Sequence, residues 1–171
     1  MITIISGTNR PGSRTRQVCG IYSTLLSAKG VENQILDIAD LPEDSFASST
    51  EVHQGLEAVI SEFIQPVNAL IIISPEYNGS IPGVLKALID HSDVKAWYGK
   101  KSCLTGIASG RAGNLRGLDH LASVLMHCKG TVLPNKLPIS SIHTVLNEGE
   151  IGHEETAKAI ENQIDEFLAF I

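Results

Sequence analysis

The chain has 171 residues, 43% hydrophobic and 19% charged, the composition of a globular domain that buries about 70% of its unfolded surface. Acidic residues outnumber basic ones by 19 to 13, and the net charge of −6 argues against a broad nucleic-acid-binding face. No membrane-length apolar run and no charged leader with an apolar core is present, so a cytoplasmic protein with neither membrane nor nucleic-acid partners is expected. Cys19, Cys103 and Cys128 are an odd number without metal-ligand spacing, and the histidines show no paired spacing either. No metal is expected, and the thiols read as buried and reduced.

Ile2–Ser6 reads as a short apolar strand, and Gly7-Thr-Asn-Arg-Pro-Gly-Ser-Arg-Thr15 follows it directly. A helical pattern then begins, with Val18, Ile21, Tyr22, Leu25 and Leu26 on one face. Thr8, Ser13 and Thr15 supply hydroxyls, Arg10 a guanidinium, and Gly7 and Gly12 let the backbone come close. A helix N-terminus adds free N–H groups and partial positive charge. That set suits a phosphate. No Gly-Lys-Ser/Thr closes the loop and no Gly-x-Gly-x-x-Gly occurs in it, so it is neither a nucleotide P-loop nor the dinucleotide fingerprint. Arg10, Arg14, Arg16, Arg111 and Arg116 fall in two loop regions, local positive charge within an acidic chain.

Gln34–Ile38 reads as a second strand, Leu41–Thr50 as a polar surface connection, and Glu51–Ile64 as a helix with Val52, Leu56, Val59, Ile60 and Phe63 along one side. Ala69–Ser74 is continuously apolar and β-branched, the pattern of a strand buried on both faces. Ser74-Pro-Glu-Tyr-Asn-Gly-Ser-Ile-Pro-Gly-Val-Leu-Lys then leads into a helix over Pro82–His91, with Pro82 in its first turn and Ser80 as its cap. Tyr77 offers a flat face, Asn78 paired donor and acceptor groups, and Pro75–Glu76 a stiff backbone. This is equipment for a planar heteroaromatic ring at the carboxyl end of a strand. Glu76 is either a general acid or base, or a residue that holds the ring through its backbone. Trp97-Tyr98 is either an aromatic lid or a packing pair. His91 reads as exposed or at an interface.

Ser102–Ala108 and Thr131–Leu133 are further strands; Asn114–His127 and Glu154–Phe170 are amphipathic helices. Lys136–Gly152 lacks periodicity and reads as a functional excursion, a subunit contact or a plain surface segment. Strands alternating with helices predict an α/β fold around a parallel sheet.

Gly-Thr-x-Arg-x-x-Ser-x-Thr at 7–15 and Pro-Glu-Tyr-Asn-x-Ser-x-Pro-Gly-x-Leu-Lys at 75–86 resemble the NADPH-dependent FMN reductase family, whose relatives include quinone, azo-dye and chromate reductases. The resemblance covers nearly the whole chain. It implies a single flavodoxin-like domain: three layers, doubly wound, with a five-stranded parallel sheet in the order 2-1-3-4-5. It further implies that Thr8, Arg10, Ser13 and Thr15, with Arg14 beside them, hold the FMN phosphate. Pro75, Glu76, Tyr77 and Asn78 would line the isoalloxazine, and Ser109, Gly110 and Arg111, in the loop closing at Gly113, would touch its other edge. Arg111 could equally point to solvent. Where the family usually carries Asn-Ala-Ile-Asp-Trp after Leu-Lys, this chain has Ala87-Leu-Ile-Asp-His91, and where it carries a Gly-Gly pair, Gly113-Asn-Leu-Arg-Gly117 intervenes. The implied activity is NAD(P)H oxidation through bound FMN to a small acceptor: free flavin, a quinone, an azo compound or a metal oxyanion. The chemistry would rest on FMN with no catalytic side chain, in a homodimer or homotetramer. A flavodoxin-type electron carrier and a flavin-free scaffold are the competing readings.

Overall fold

A computed structural model describes residues 1–41, 45, 54–147 and 149–171. Strands β1 (Ile2–Ser6), β2 (Asn33–Asp37), β3 (Ala69–Pro75), β4 (Lys101–Ile107) and β5 (Thr131–Val132) form a sheet in the order β2-β1-β3-β4-β5. All of these pairings are parallel. The doubly wound flavodoxin-like order implied by the family resemblance is therefore the one observed.

β3 shows why the sheet lies in the middle. Successive side chains of a strand point to opposite faces, so Leu70 and Ile72 enter one core while Ala69, Ile71 and Ile73 enter the other. The first core is closed by α3 (Gly83–Asp90), α4 (Leu115–His127) and a helical segment made of α2 (Gln54–Val59) and a π-helical turn at Ile60–Ile64. Lys100 closes the carbonyl end of that segment, donating to the backbone oxygens of Gln65 (3.2 Å) and Val67. The second core is closed by α1 (Arg14–Ala28), α5 (Ile142–Val145) and α6 (Glu154–Phe170).

The expected elements recur with small offsets, and three differences have physical causes. Thr131–Leu133 is half of a strand in two pieces. β5 pairs with Lys101 and Ser102, and β6 (Leu137–Ile139) pairs with Thr105–Ile107 on the same edge of β4. Lys136–Gly152 is consequently no plain excursion: it holds β6, α5 and an antiparallel hairpin of β7 (Leu146–Asn147) and β8 (Glu150–Ile151). The helix after the ring loop starts at Gly83, with Pro82 at its N-cap and no side-chain cap; the Ser80 hydroxyl lies instead 2.8 Å from His120 Nδ1. Of the two readings of Trp97-Tyr98, packing is the one observed for Trp97, a core residue that donates its indole N–H to Ser92 Oγ (2.7 Å). Of the expected helix Glu51–Ile64, residues 51–53 lie outside the described ones, as does nearly all of the connection Leu41–Thr50. All three cysteines are buried and unbridged.

Candidate functional site

Two loops leave the carboxyl ends of the adjacent strands β1 and β3, where chain progression reverses direction across the sheet, the place where open α/β sheets take ligands. Gly7 starts the first. Its N–H bonds Ile73 O at 2.8 Å, and a Cβ there would sit 2.9 Å from that oxygen, so this entry needs glycine. Ser13 is the N-cap of α1, its hydroxyl accepting from Arg16 N (3.1 Å). Thr8, Ser13 and Thr15 are buried, whereas Arg10 and Arg14 are exposed. α1 carries no acidic residue in its first turn. Its leading N–H groups and dipole therefore meet no carboxylate from the helix's own first turn. Arg16 lies 3.6 Å from Asp37, but among the described residues neither Arg10 nor Arg14 is in an ion pair.

The second loop is a tight turn from Tyr77 to Ser80, with reciprocal backbone bonds of 2.9 and 3.0 Å. Asn78 (φ 52) and Gly79 (φ 78) occupy its two centres, the positive-φ pair that a type I′ turn requires. The turn presents Tyr77 to the first loop: its hydroxyl is 3.1 Å from Thr8 Oγ1, and the Arg10 guanidinium lies 5.9 Å from its ring centre. Glu76 N bonds Ile107 O (2.9 Å), and the Glu76 carboxylate is 3.6 Å from Arg116.

The third loop is tied to the segment after β6. Ser141 N donates to Gly110 O and Ile142 N to Ala108 O, both at 3.0 Å, and Ser140 Oγ donates to Arg111 O at 2.5 Å.

Together the loops enclose a cleft of about 530 Å³. Thr8, Arg10, Ser13, Arg14, Thr15, Pro75, Glu76, Tyr77 and Ser109 are on its wall, whereas Asn78, Gly110 and Arg111 are not. Asn78 serves the turn, and Arg111 is exposed. Sequence reasoning missed Gln17, Ile107, Ala108 and Ile142, which complete the wall. Gln17 was readable as the next exposed turn of α1, but Ile142 arrives only through the unpredicted β6–α5 segment. Also missed were three α4-side residues behind the ring loop: Asn114, which donates to Ser74 O and Pro75 O, Arg116 and His120.

The cleft thus joins the hydroxyls and arginines at α1 to the less polar side chains of Pro75, Tyr77, Ile107, Ala108 and Ile142. Thiol chemistry has no place in it. Burial pushes the Cys19 and Cys103 thiols far above the usual cysteine range, so the reactive thiolate is suppressed. Among the described residues no cluster of His, Cys, Asp and Glu could hold a metal ion, and no helix is long and apolar enough to cross a membrane.

Known proteins resemble this chain in sequence and fold. The chain is 24% identical over 172 residues to an NADPH azoreductase of Bacillus sp. (strain OY1-2), covering 99% of this chain and 92% of the relative. It is 26% identical over 180 residues to a 2-hydroxy-1,4-benzoquinone reductase of Burkholderia sp., covering 99% and 95%. The solved structure of a flavoenzyme NAD(P)H:(acceptor) oxidoreductase from Paracoccus denitrificans superposes with a TM-score of 0.78 at 24% identity, covering 98% of this chain and 94% of that one. Residues 1–144 match the NADPH-dependent FMN reductase family. The chain belongs to that family of flavin-dependent oxidoreductases.

Proposed function

We propose that this cleft binds FMN with its phosphate at the N-terminus of α1 and its ring against the Tyr77 loop, and that the protein oxidises NADPH or NADH to reduce a quinone, an azo compound, free flavin or a metal oxyanion. The observation that carries the reading is the polarity of the cleft. The α1 side gathers buried hydroxyls, helix N–H groups and two arginines that are in no ion pair among the described residues; Pro75, Tyr77, Ile107, Ala108 and Ile142 give the rest of the wall apolar surface. A phosphate fits the first donor set and a heteroaromatic ring the second, and about 530 Å³ lies within the roughly 300–1,000 Å³ of small-molecule sites.

Bound FMN would supply the redox chemistry between NAD(P)H and the acceptor. The chain's own residues bind and orient. Thr8, Ser13 and Thr15 with the α1 amides hold the phosphate, and Arg10 and Arg14 add charge to it. Pro75 and the Glu76 backbone shape one edge of the ring site, Tyr77 offers its face there from the turn that Asn78 and Gly79 make, and Ser109 borders the other edge. The openness of this wall admits donor and acceptor in alternation, in a single domain working as a homo-oligomer. A carrier that sandwiches its ring between aromatics fits less well, because Tyr77 is the sole aromatic on the wall among the described residues.

The reading is tested by titrating the flavin-free protein with FMN and assaying NADPH oxidation with a quinone and an azo dye, without added partner protein. Arg10→Ala is expected to weaken FMN binding by more than about tenfold and leave the fold intact, since a charge-assisted bond is lost. A protein that binds no FMN, or binds it but oxidises NADPH only with a protein partner present, would overturn the reading.

If the residues only bind and orient, Glu76→Gln should reduce hydride transfer to saturating FMN by less than about tenfold, against the roughly 10²–10⁴ of a lost general acid or base. The substitution keeps the Glu76 N–H bond to Ile107 O and loses only a partly exposed ion pair with Arg116. Anaerobic stopped-flow mixing with NADPH is the measurement. A loss of about a thousandfold at normal FMN affinity would assign the carboxylate a direct role.

A further inference from the structure

We propose that Asn114 is a positioning residue that holds the ring loop in place from behind, a role written into this chain by an asparagine turned away from its own helix. Asn114 is the N-cap of α4, where an asparagine side chain ordinarily accepts a bond from the helix's own N–H groups. Here it makes no such bond. Its fully buried amide reaches across to β3, and Nδ2 donates to Ser74 O and Pro75 O, both at 3.0 Å. An amide carries two N–H donors, and both are used on consecutive carbonyls.

Those carbonyls sit where the ring loop departs. β1 pairs with β3 only as far as Ile73, and β4 pairs with it as far as Pro75. Glu76 and Tyr77 come next, both on the cleft wall. Fixing the orientation of the last two peptide units of β3 therefore fixes where those residues begin.

The surroundings show that this placement is bought with constraints elsewhere. Asn114 adopts φ 66 and ψ 27, a left-handed conformation that asparagine tolerates better than most residues. Its buried Oδ1 has no partner among the described residues, so the contact is retained for what the NH₂ group does. Neighbouring glycines keep the space open. A Cβ at Gly117 would lie 2.0 Å from Asn114 Oδ1, and one at Gly106 would lie 2.2 Å from Gly113 O and 3.0 Å from Asn114 Cβ. Two more residues on the same helix reach the same loop, Arg116 to Glu76 and His120 to Ser80, but both contacts are solvent-exposed. The buried one is the asparagine.

The test uses Asn114→Gly, which accepts the left-handed backbone and deletes the amide, and Asn114→Asp, which keeps the shape and loses both donors. The first readout, hydrogen exchange in the flavin-free protein, is independent of any cofactor. The amides of Glu76, Tyr77 and Ser80 should exchange about tenfold faster or more in both variants, while those of α1 and α6 keep their protection. The second readout rests on the FMN reading. FMN affinity should fall about tenfold and the visible circular dichroism of bound FMN should change, while affinity for inorganic phosphate stays at the wild-type value. Wild-type exchange in the loop together with an unaltered flavin spectrum would overturn the proposal. So would uniformly faster exchange across the sheet, which would reduce Asn114 to general stability. If the wild-type protein binds no FMN, the functional reading falls, and the exchange data still decide the role of Asn114.

Discussion

Ser13→Asp is expected to leave the protein as stable as before, or slightly more so, while weakening FMN binding by at least about a hundredfold. The two effects have opposite signs because they draw on the same feature. Ser13 caps α1 by accepting from Arg16 N at 3.1 Å, and aspartate caps a helix as well as serine does. The first turn of α1 has no acidic residue, so a new carboxylate also gains roughly 0.3–1 kcal/mol from the helix dipole and its neighbours Arg14 and Arg16. That carboxylate would occupy the place proposed for the phosphate. Two like charges about 4 Å apart near a protein surface repel by about 4 kcal/mol, and screening by the nearby arginines leaves enough for two orders of magnitude. Parallel titrations with FMN and riboflavin, alongside a thermal melt, make the measurement. Riboflavin lacks the phosphate, so its affinity should move by less than about threefold. Equal losses for both flavins would mean that this loop holds the ring, and the orientation proposed for the cofactor would be reversed.

The parts of this site that could be read in the sequence are those whose cause is local. The apolar runs of β1 and β3 need both faces buried wherever they fold, and the loops after them carry hydroxyls, arginines, proline and tyrosine in one stretch. Element order follows from alternating periods, and with the family resemblance it led to the observed sheet. What stayed hidden depends on partners far along the chain. Asn114 reads locally as a turn residue before a helix; its amide acquires its role only from carbonyls 39 and 40 residues away. Leu137–Ile139 is too short for a period to show, and it becomes a strand because β4 offers an unpaired edge beyond Ser102. Ile142 then reaches the cleft as a consequence of that pairing. Ser80 and Pro82 made a plausible helix start, but the turn at Asn78–Gly79 and the contact with His120 claim Ser80, and the helix waits until Gly83. Trp97 next to Tyr98 left a lid and a packing pair open; a hydrogen-bond partner five residues away, Ser92, lets the indole be buried and decides for packing.

Gln163→Leu should lower stability by about 3 kcal/mol, a large share of the 5–15 kcal/mol that holds a domain folded. Gln163 on α6 is fully buried, and its amide serves four partners. Oε1 accepts from Tyr22 on α1 (2.7 Å) and from Thr105 on β4 (2.8 Å), while Nε2 donates to Leu104 O and to Asn135 O, both at 3.0 Å. Asn135 lies in the break between β5 and β6, so one side chain ties both surface helices to the split edge of the sheet. Leucine fills a similar volume but strands the buried Leu104 carbonyl at roughly 1–3 kcal/mol, takes the bond from the partly buried Asn135 carbonyl, and removes the acceptor shared by Tyr22 and Thr105. Tyr22→Phe should be milder, about 1 kcal/mol, because Thr105 and Gln163 remain bonded to each other without the phenol. The double variant should cost less than the sum of the two, since the single losses share partners. Urea unfolding of the three variants gives the cycle. The same loss has a reading at the site: Tyr22 anchors the helix that Ser13 caps and whose first turn carries Thr15, and β4 carries Ile107. Gln163→Leu protein that stays folded should therefore bind FMN more weakly, with the cleft residues themselves untouched. Additive single and double costs, with FMN affinity unchanged, would show that the network stabilises the core without reaching the loops it supports.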